Sequence, residues 1–179
     1  MSDWVKWAAP PAIIVSIACP AYCTQYLTIE QAQKLAFPTA TRFAEAHVVF
    51  KPSDVAAIEQ RSGEKVRARG QQVWRALVED RLVGFFIVDY VIGKHLVIDY
   101  AVALDPSGRV GHLEILEYRE SYGGEITNRS WLSQFVGKTS RDPLELEQDI
   151  RNISGATLSS RHVTEGVKRL LALYETCLK

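Results

Sequence analysis

Cysteine, methionine and any surplus of charge are what this chain has least of. Three cysteines make no disulfide framework, and no cluster of cysteine and histidine has the spacing of a zinc site. Lysines plus arginines number 21, aspartates plus glutamates also 21, and the two signs are interspersed. With no basic stripe there is no field to gather a polyanion, which argues against nucleic acid as a partner. No Gly-x-Gly-x-x-Gly fingerprint follows a strand pattern, so direct oxidation of a nicotinamide dinucleotide is not expected. Internal repeats and low-complexity segments are missing too.

What is present suits one globular domain and a small extra segment: 179 residues, 47% apolar and 23% charged. The extra segment is residues 1–26. No charged residue occurs from Trp7 to Gln25, and Ala12–Ala18 forms an apolar centre after Lys6. Small residues around Cys19-Pro20-Ala21 complete the outline of a cleavable export signal. An uncleaved N-terminal anchor and a buried helix are the alternatives, and Pro10-Pro11 would interrupt a spanning helix near its beginning. Cys19 also falls where an acylated lipoprotein cysteine would sit, although Ser16 replaces the usual branched apolar residue. Residues 27–179 are then a single domain.

Within that domain the pattern begins with helices. Thr28–Phe37 reads as a short helix with Thr28 as its cap, ended by Pro38, and Ser53–Glu59 as a second one after Pro52, closed by Ser62-Gly63. His47 sits in the apolar stretch between them and reads as structural. From Val66 to Tyr118 the signal changes to strands: Val73–Val78, Val83–Ile92, Leu96–Leu104 and Val110–Tyr118, separated by Asp80-Arg81, Gly93-Lys94 and Asp105-Pro106-Ser107-Gly108-Arg109. Four neighbouring strands with short turns predict an antiparallel meander. Gly84–Val88 is too apolar for a half-exposed strand and is expected to be covered on both faces. Ser130–Phe135 reads as one or two helical turns ending at Gly137, where Trp131 and Phe135 pack in the core or wall a site. The fold class is α+β, an antiparallel meandering sheet with flanking helices and a C-terminal helix.

That last helix is the most informative element. Val163, Val167, Leu170, Leu171, Tyr174 and Leu178 recur at three- and four-residue steps, and Ser159 or Ser160 is placed to cap their helix. Directly before it stands Ser154-Gly155-Ala156-Thr157-Leu158-Ser159-Ser160. A glycine permits close approach to the backbone, and a helix N-terminus offers unpaired donors, which together make a seat for phosphate. An ordinary loop-to-helix junction would carry the same features.

The wording Ser-Gly-Ala-Thr followed by Leu-Ser-Ser resembles the flavin-attachment motif of the FMN-binding domain family. That domain occurs in the C subunit of sodium-pumping NADH:quinone oxidoreductases and the G subunit of RNF complexes. The resemblance implies covalent FMN, joined through a phosphoester to Thr157 by a separate flavin transferase. It places Ser154, Gly155, Ala156, Leu158, Ser159 and Ser160 around the attachment point. The family often has an aspartate six residues before the threonine; here that position is Arg151, with Asp149 two residues further back. A second family loop, which borders the flavin ring, resembles Glu120-Ser121-Tyr122-Gly123-Gly124, with Ser and Tyr where threonine and proline are usual. Read without the family, Gly123-Gly124 is a tight turn.

The implied function is an exported electron carrier, periplasmic or membrane-anchored, working between a membrane-bound donor and another redox partner rather than as a stand-alone enzyme. A noncovalent FMN-dependent oxidoreductase and a flavin-free binding or structural domain are the alternatives. Hydrolytic chemistry has little support, because His162 beside Ser159 and Ser160 does not make a nucleophile–base pair, and His95 and His112 have no partner in view.

Overall fold

The computed structural model describes residues 24–120 and 122–179. The proposed signal or anchor therefore lies outside the described residues except for its last three, as do Cys19, Cys23 and Ser121. In chain order the elements are β1 (Thr24–Gln25), α1 (Ile29–Ala36), β2 (Arg42–Val49), α2 (Pro52–Ser62), β3 (Gly70–Val78), β4 (Arg81–Ile92), β5 (Val97–Leu104) and β6 (Val110–Tyr118). A 3-10 turn at Gly124–Thr127 then leads into α3 (Arg129–Leu132), and α4 (Thr157–Leu173) closes the chain with a π turn at Tyr174–Leu178. The strands form one six-stranded sheet in the order β1-β6-β5-β4-β3-β2, with every neighbouring pair antiparallel.

The α+β meander is as expected, and so is the double covering of its centre. Side chains alternate across a strand, so Phe85, Ile87 and Val91 of β4 enter the larger core, which also holds Val163, Val167, Leu170 and Leu171 of α4. Phe86 enters a smaller core on Trp74, Ala101, Ala103 and Leu116, against Ala32 of α1. Trp74 and Phe86 meet edge-on with centroids 5.9 Å apart. The helix starts follow from their caps. The Thr28 hydroxyl accepts from Gln31 N–H at 3.2 Å while the Gln31 side chain accepts from Thr28 N–H at 2.8 Å, a reciprocal pair that satisfies two first-turn donors. Helix α2 begins on Pro52 itself and continues to Ser62, beyond the predicted Glu59.

Two strands were not legible. Strand β2 pairs with β3 along its whole length, from Arg42 opposite Leu77 to Val49 opposite Gly70. It is the sheet edge, and most of its residues are half-buried or exposed, so Arg42, Glu45 and His47 interrupt the apolar signal. The two-residue β1 is held by its pairing with Glu117 and Tyr118 rather than by any pattern of its own.

Besides its apolar face, helix α4 has polar ties to β4, through His162 Nδ1 beside Ile92 O and through the Asp89 carboxylate. Asp89 Oδ2 on β4 accepts from the Tyr100 hydroxyl of β5 at 2.8 Å and from Arg169 Nη2 of α4 at 2.6 Å. Burial, reinforced by the Asp89 charge, raises the Tyr100 phenol well above its usual value, so it stays a donor. The helix approaches closely because of Gly166, where a Cβ would lie 2.2 Å from the Tyr100 hydroxyl oxygen. In an open helix, glycine to alanine would stabilise by ~1 kcal/mol. Here Gly166→Ala is expected to destabilise by ~1–3 kcal/mol through overpacking. Urea unfolding measures it, and a midpoint at or above wild type would contradict the close-packing account.

Candidate functional site

Residues 154–160 lead into the first turn of α4, and the helix starts earlier than their hydroxyls suggest. Ala156 is the N-cap and Thr157 the first helical residue, with no side-chain cap. The expectation that Ser159 or Ser160 caps the helix is therefore corrected: both lie inside the first turn and both are buried. Their hydroxyls have local partners instead. Ser160 Oγ donates to Ala156 O at 3.0 Å, and Ser160 N–H makes the first helical bond to the same oxygen at 2.9 Å. The amides of Thr157, Leu158 and Ser159 precede that first bond, so they are the donors a helix start leaves open.

Thr157 is exposed, as are Ser154, Gly155 and Leu158, whereas Ala156 is buried. Gly155 has φ +86°, and a Cβ there would meet nothing within 4 Å. Solvent and any incoming group thus reach Thr157 over the flat side of the turn. Its hydroxyl oxygen accepts from Asn152 Nδ2 at 3.2 Å. Asn152 Oδ1 is buried and has no hydrogen-bond partner.

The glycine loop lies against this turn. Gly123 has φ +89°, and a Cβ built on it would stand 3.1 Å from Ala156 Cβ and 2.6 Å from the Tyr118 hydroxyl. The residue before Thr157 and the loop more than thirty residues upstream are thereby one surface. Tyr118, the last residue of β6, ties them together: its hydroxyl donates to Tyr122 O at 2.5 Å and lies 3.4 Å from Ser159 Oγ. Burial raises its phenol above the ordinary value, which keeps it protonated at neutral pH. The Tyr122 side chain, 87% exposed, stands out into solvent. Glu120 turns elsewhere. Its Oε1 accepts from the His95 and Leu96 amides at 2.5 and 2.8 Å, closing the β4–β5 turn.

A groove of about 840 Å³ opens beside the two loops, lined among others by Glu125, Asn128, Trp131, Gln134, Arg151 and Asn152. Its volume is in the ~300–1,000 Å³ range of small-molecule sites. Trp131 and Phe135 are buried and packed edge-on, 5.0 Å between centroids, while Trp131 Nε1 donates to Arg151 O at 2.7 Å. Trp131 therefore packs in the core as expected and also lines this groove. Arg151, where the family often has aspartate, is exposed, and its N–H donates to Gln134 Oε1 at 2.8 Å. A second cavity of about 560 Å³ lies between α2, β4 and α4; neither cavity is lined by a residue of the two predicted loops, but the first is bounded by their chain neighbours Glu125 and Ile153.

Sequence reading missed Tyr118, Asn152 and Gln134. Tyr118 could have been noticed as the aromatic end of a strand leading straight into the glycine loop; the two amides had no pattern to betray them. The histidines make no catalytic pair: His162 Nδ1 is 2.5 Å from Ile92 O, and His112 Nε2 is 2.8 Å from Glu114 Oε1.

Residues 93–172 match the family described as FMN-binding domain. The chain is 24% identical to the G subunit of the Na(+)-translocating ferredoxin:NAD(+) oxidoreductase complex of Acetobacterium woodii over 180 residues, covering 90% of this chain and 86% of that protein. It is similar in structure to NqrC of Shewanella oneidensis, with a TM-score of 0.55 and 18% identity over 80% of this chain and 84% of that one. At that identity the likeness speaks to the fold, which is the same sheet with flanking helices.

Glu120 supplies a pH test of the loop's anchorage. Burial opposes its ionisation, but the amides of His95 and Leu96 outweigh it and hold the carboxyl below its ordinary value. A depressed folded-state pKa stabilises above the unfolded value of ~4.3 and loses that stabilisation as pH falls through the folded one. Wild type should therefore exceed Glu120→Gln in unfolding free energy at pH 7, with the gap closing below about pH 4. Urea titrations across that range measure it; a gap that does not change with pH would rule out the ionised anchor.

Proposed function

We propose that the chain, whose residues 93–172 match the FMN-binding domain family, carries FMN as a phosphoester on Thr157 and relays electrons between a membrane-associated donor and another redox carrier. The observation that carries this reading is the position of one hydroxyl. Thr157 stands exposed at the first residue of α4, with the glycine loop packed on its neighbour Ala156 and the groove opening at Asn152.

The residues fit the group. Open amides at the start of a helix of 17 residues suit a phosphate, and the partial positive charge of the helix N-terminus favours an anion there. Gly123, which has no Cβ to strike Ala156 or the Tyr118 hydroxyl, lets the loop backbone close on the helix start and stand beside Thr157 as the second contact for the ring. Trp131, Gln134 and Asn128 line the adjoining wall. Bound FMN supplies the electron-transfer chemistry. The chain's own residues attach it, orient it and limit water on the side of the groove. With the cofactor tethered, turnover of a small substrate by this chain is not required, which favours a subunit or carrier over a stand-alone enzyme.

Attachment calls for a flavin transferase as maturation partner, and export is part of the same reading. Residues 1–26 then act as a signal or anchor, and residues 27–179 as one FMN-binding domain facing outside the cytoplasm. A noncovalent flavoprotein would use the same surfaces and leave Thr157 unmodified.

Intact mass of the chain expressed with and without a flavin transferase tests attachment. The expected gain is FMN less one water, with yellow colour retained on denaturation, and Thr157→Ala loses both while its unfolding midpoint stays near wild type. Flavin released on denaturing the wild-type chain would favour the noncovalent reading, and no flavin at all the structural one. For export, N-terminal sequencing should find a new start near Cys19 or Tyr22, or else the intact chain in the membrane fraction. An intact, soluble cytoplasmic chain contradicts it.

A further inference from the structure

Asn152 stands at the side chain on which attachment depends, and it is oddly served. Its Nδ2 lies 3.2 Å from Thr157 Oγ1, yet its Oδ1 is buried without a partner. An unpaired buried carbonyl costs ~1–3 kcal/mol, so its presence asks for a reason. The backbone on either side is fixed. Arg151 donates its N–H to Gln134 Oε1 and accepts from Trp131 Nε1 through its carbonyl, while Ala156 N–H donates to Ile153 O at 3.0 Å. Asn152 is therefore presented to Thr157 by the α3 segment, and not by chance sampling of an open loop.

We propose that Asn152 is the positioning residue for flavin attachment, a carboxamide able to serve Thr157 both as a free hydroxyl and as an ester. The inference rests on the attachment reading above. A threonine hydroxyl donates and accepts, whereas its ester oxygen only accepts. A carboxamide has an acceptor and a donor on one planar group, and a half-turn of the group exchanges them. With Oδ1 toward Thr157, the hydroxyl donates inward and its oxygen lone pairs face the open side above Gly155. With Nδ2 toward Thr157, the amide N–H serves the oxygen once its proton is gone. Whichever end faces Thr157, the other is left over, which accounts for the buried unpaired atom.

The step it prepares forms one bond, Thr157 Oγ1 to the flavin-bearing phosphorus of a flavin pyrophosphate. It breaks the anhydride bond at that phosphorus. The leaving group departs as a nucleoside monophosphate, and the hydroxyl proton passes to the transferase or to solvent. No electron transfer is involved. Where the family often has an aspartate, this chain has the exposed Arg151, so the carboxamide one position later is the polar side chain in reach of the threonine.

The test follows flavin incorporation against time by intact mass, using the full chain, a flavin transferase and flavin adenine dinucleotide. Wild type, Asn152→Ala and Asn152→Asp are compared, with unfolding midpoints recorded for each unmodified chain. Asn152→Ala should incorporate at least tenfold more slowly with its midpoint little changed. Asn152→Asp keeps the acceptor but lacks the donor and sets a negative charge beside an anionic phosphate. Its defect, normalised to wild type, should shrink as added salt screens that charge, while the alanine defect stays. A wild-type rate for Asn152→Ala overturns the inference, as does an aspartate defect that salt does not relieve. Should the alanine variant fail to fold, the near-isosteric aspartate variant decides through its salt response. Failure of the attachment reading looks different: wild type itself gains no mass, and the inference falls with it.

Discussion

The seating of α4 on the sheet centres on the Asp89 carboxylate. Asp89 Oδ2 takes the Tyr100 hydroxyl from the neighbouring strand and the Arg169 guanidinium from α4, so three elements meet on one oxygen. Removing one partner of such a buried group would leave the others unsatisfied, which is far more damaging than losing a surface ion pair. Because Gly166 lets the helix sit directly on Tyr100, the depth of α4 is set as well as its direction. The apolar stripe from Val163 to Leu171 supplies the bulk of the adhesion. The polar contact and the glycine determine where along the sheet it acts.

With α4 fixed, its first turn meets the end of β6. Strand β6 delivers Tyr118 to the same corner, and the phenol reaches both Tyr122 O and the side of Ser159. The loop backbone at Gly123 then rests on Ala156. The distance along the chain between the two loops is thus closed by strand and helix, with no flexible linker needed between them. A tether alone fixes one end of a long cofactor; a second surface is required to hold the rest. In the proposed reading this corner supplies both, Thr157 as the tether and the Gly123 loop as the surface, and the groove beside Asn152 adds a wall.

The central sheet was legible because its strands are extreme in pattern. Phe85, Phe86 and Ile87 announce burial on both faces, and Asp105-Pro106-Ser107-Gly108 leaves no choice but a turn. Strand β2 was hidden because an edge strand is allowed to be polar, and its exposed Arg42, Glu45 and His47 look like loop. The two loops proposed to hold flavin were singled out through the resemblance, whereas their contact is a consequence of topology that no local pattern encodes. The helix start was misplaced by three residues or so because serines make good caps; here they are drawn inward, Ser160 bonding back to the Ala156 carbonyl. Tyr118 was legible only as the aromatic end of a strand, and Asn152 not at all. Their roles arise from residues that are distant in sequence or from a single hydrogen bond, and neither leaves a periodic trace.

The central claim is that one corner of the domain, built from the α4 first turn and the Gly123 loop, holds both ends of the flavin. The most direct test compares flavin-loaded wild type with Gly123→Val, a change that adds side-chain atoms to the loop where it rests on Ala156. At equal intact mass, the account predicts an altered visible absorption band and a shifted reduction potential, with flavin still bonded at Thr157. A loaded variant with the wild-type spectrum and potential would mean that the ring is held elsewhere, and that Gly123 does no more than turn the chain.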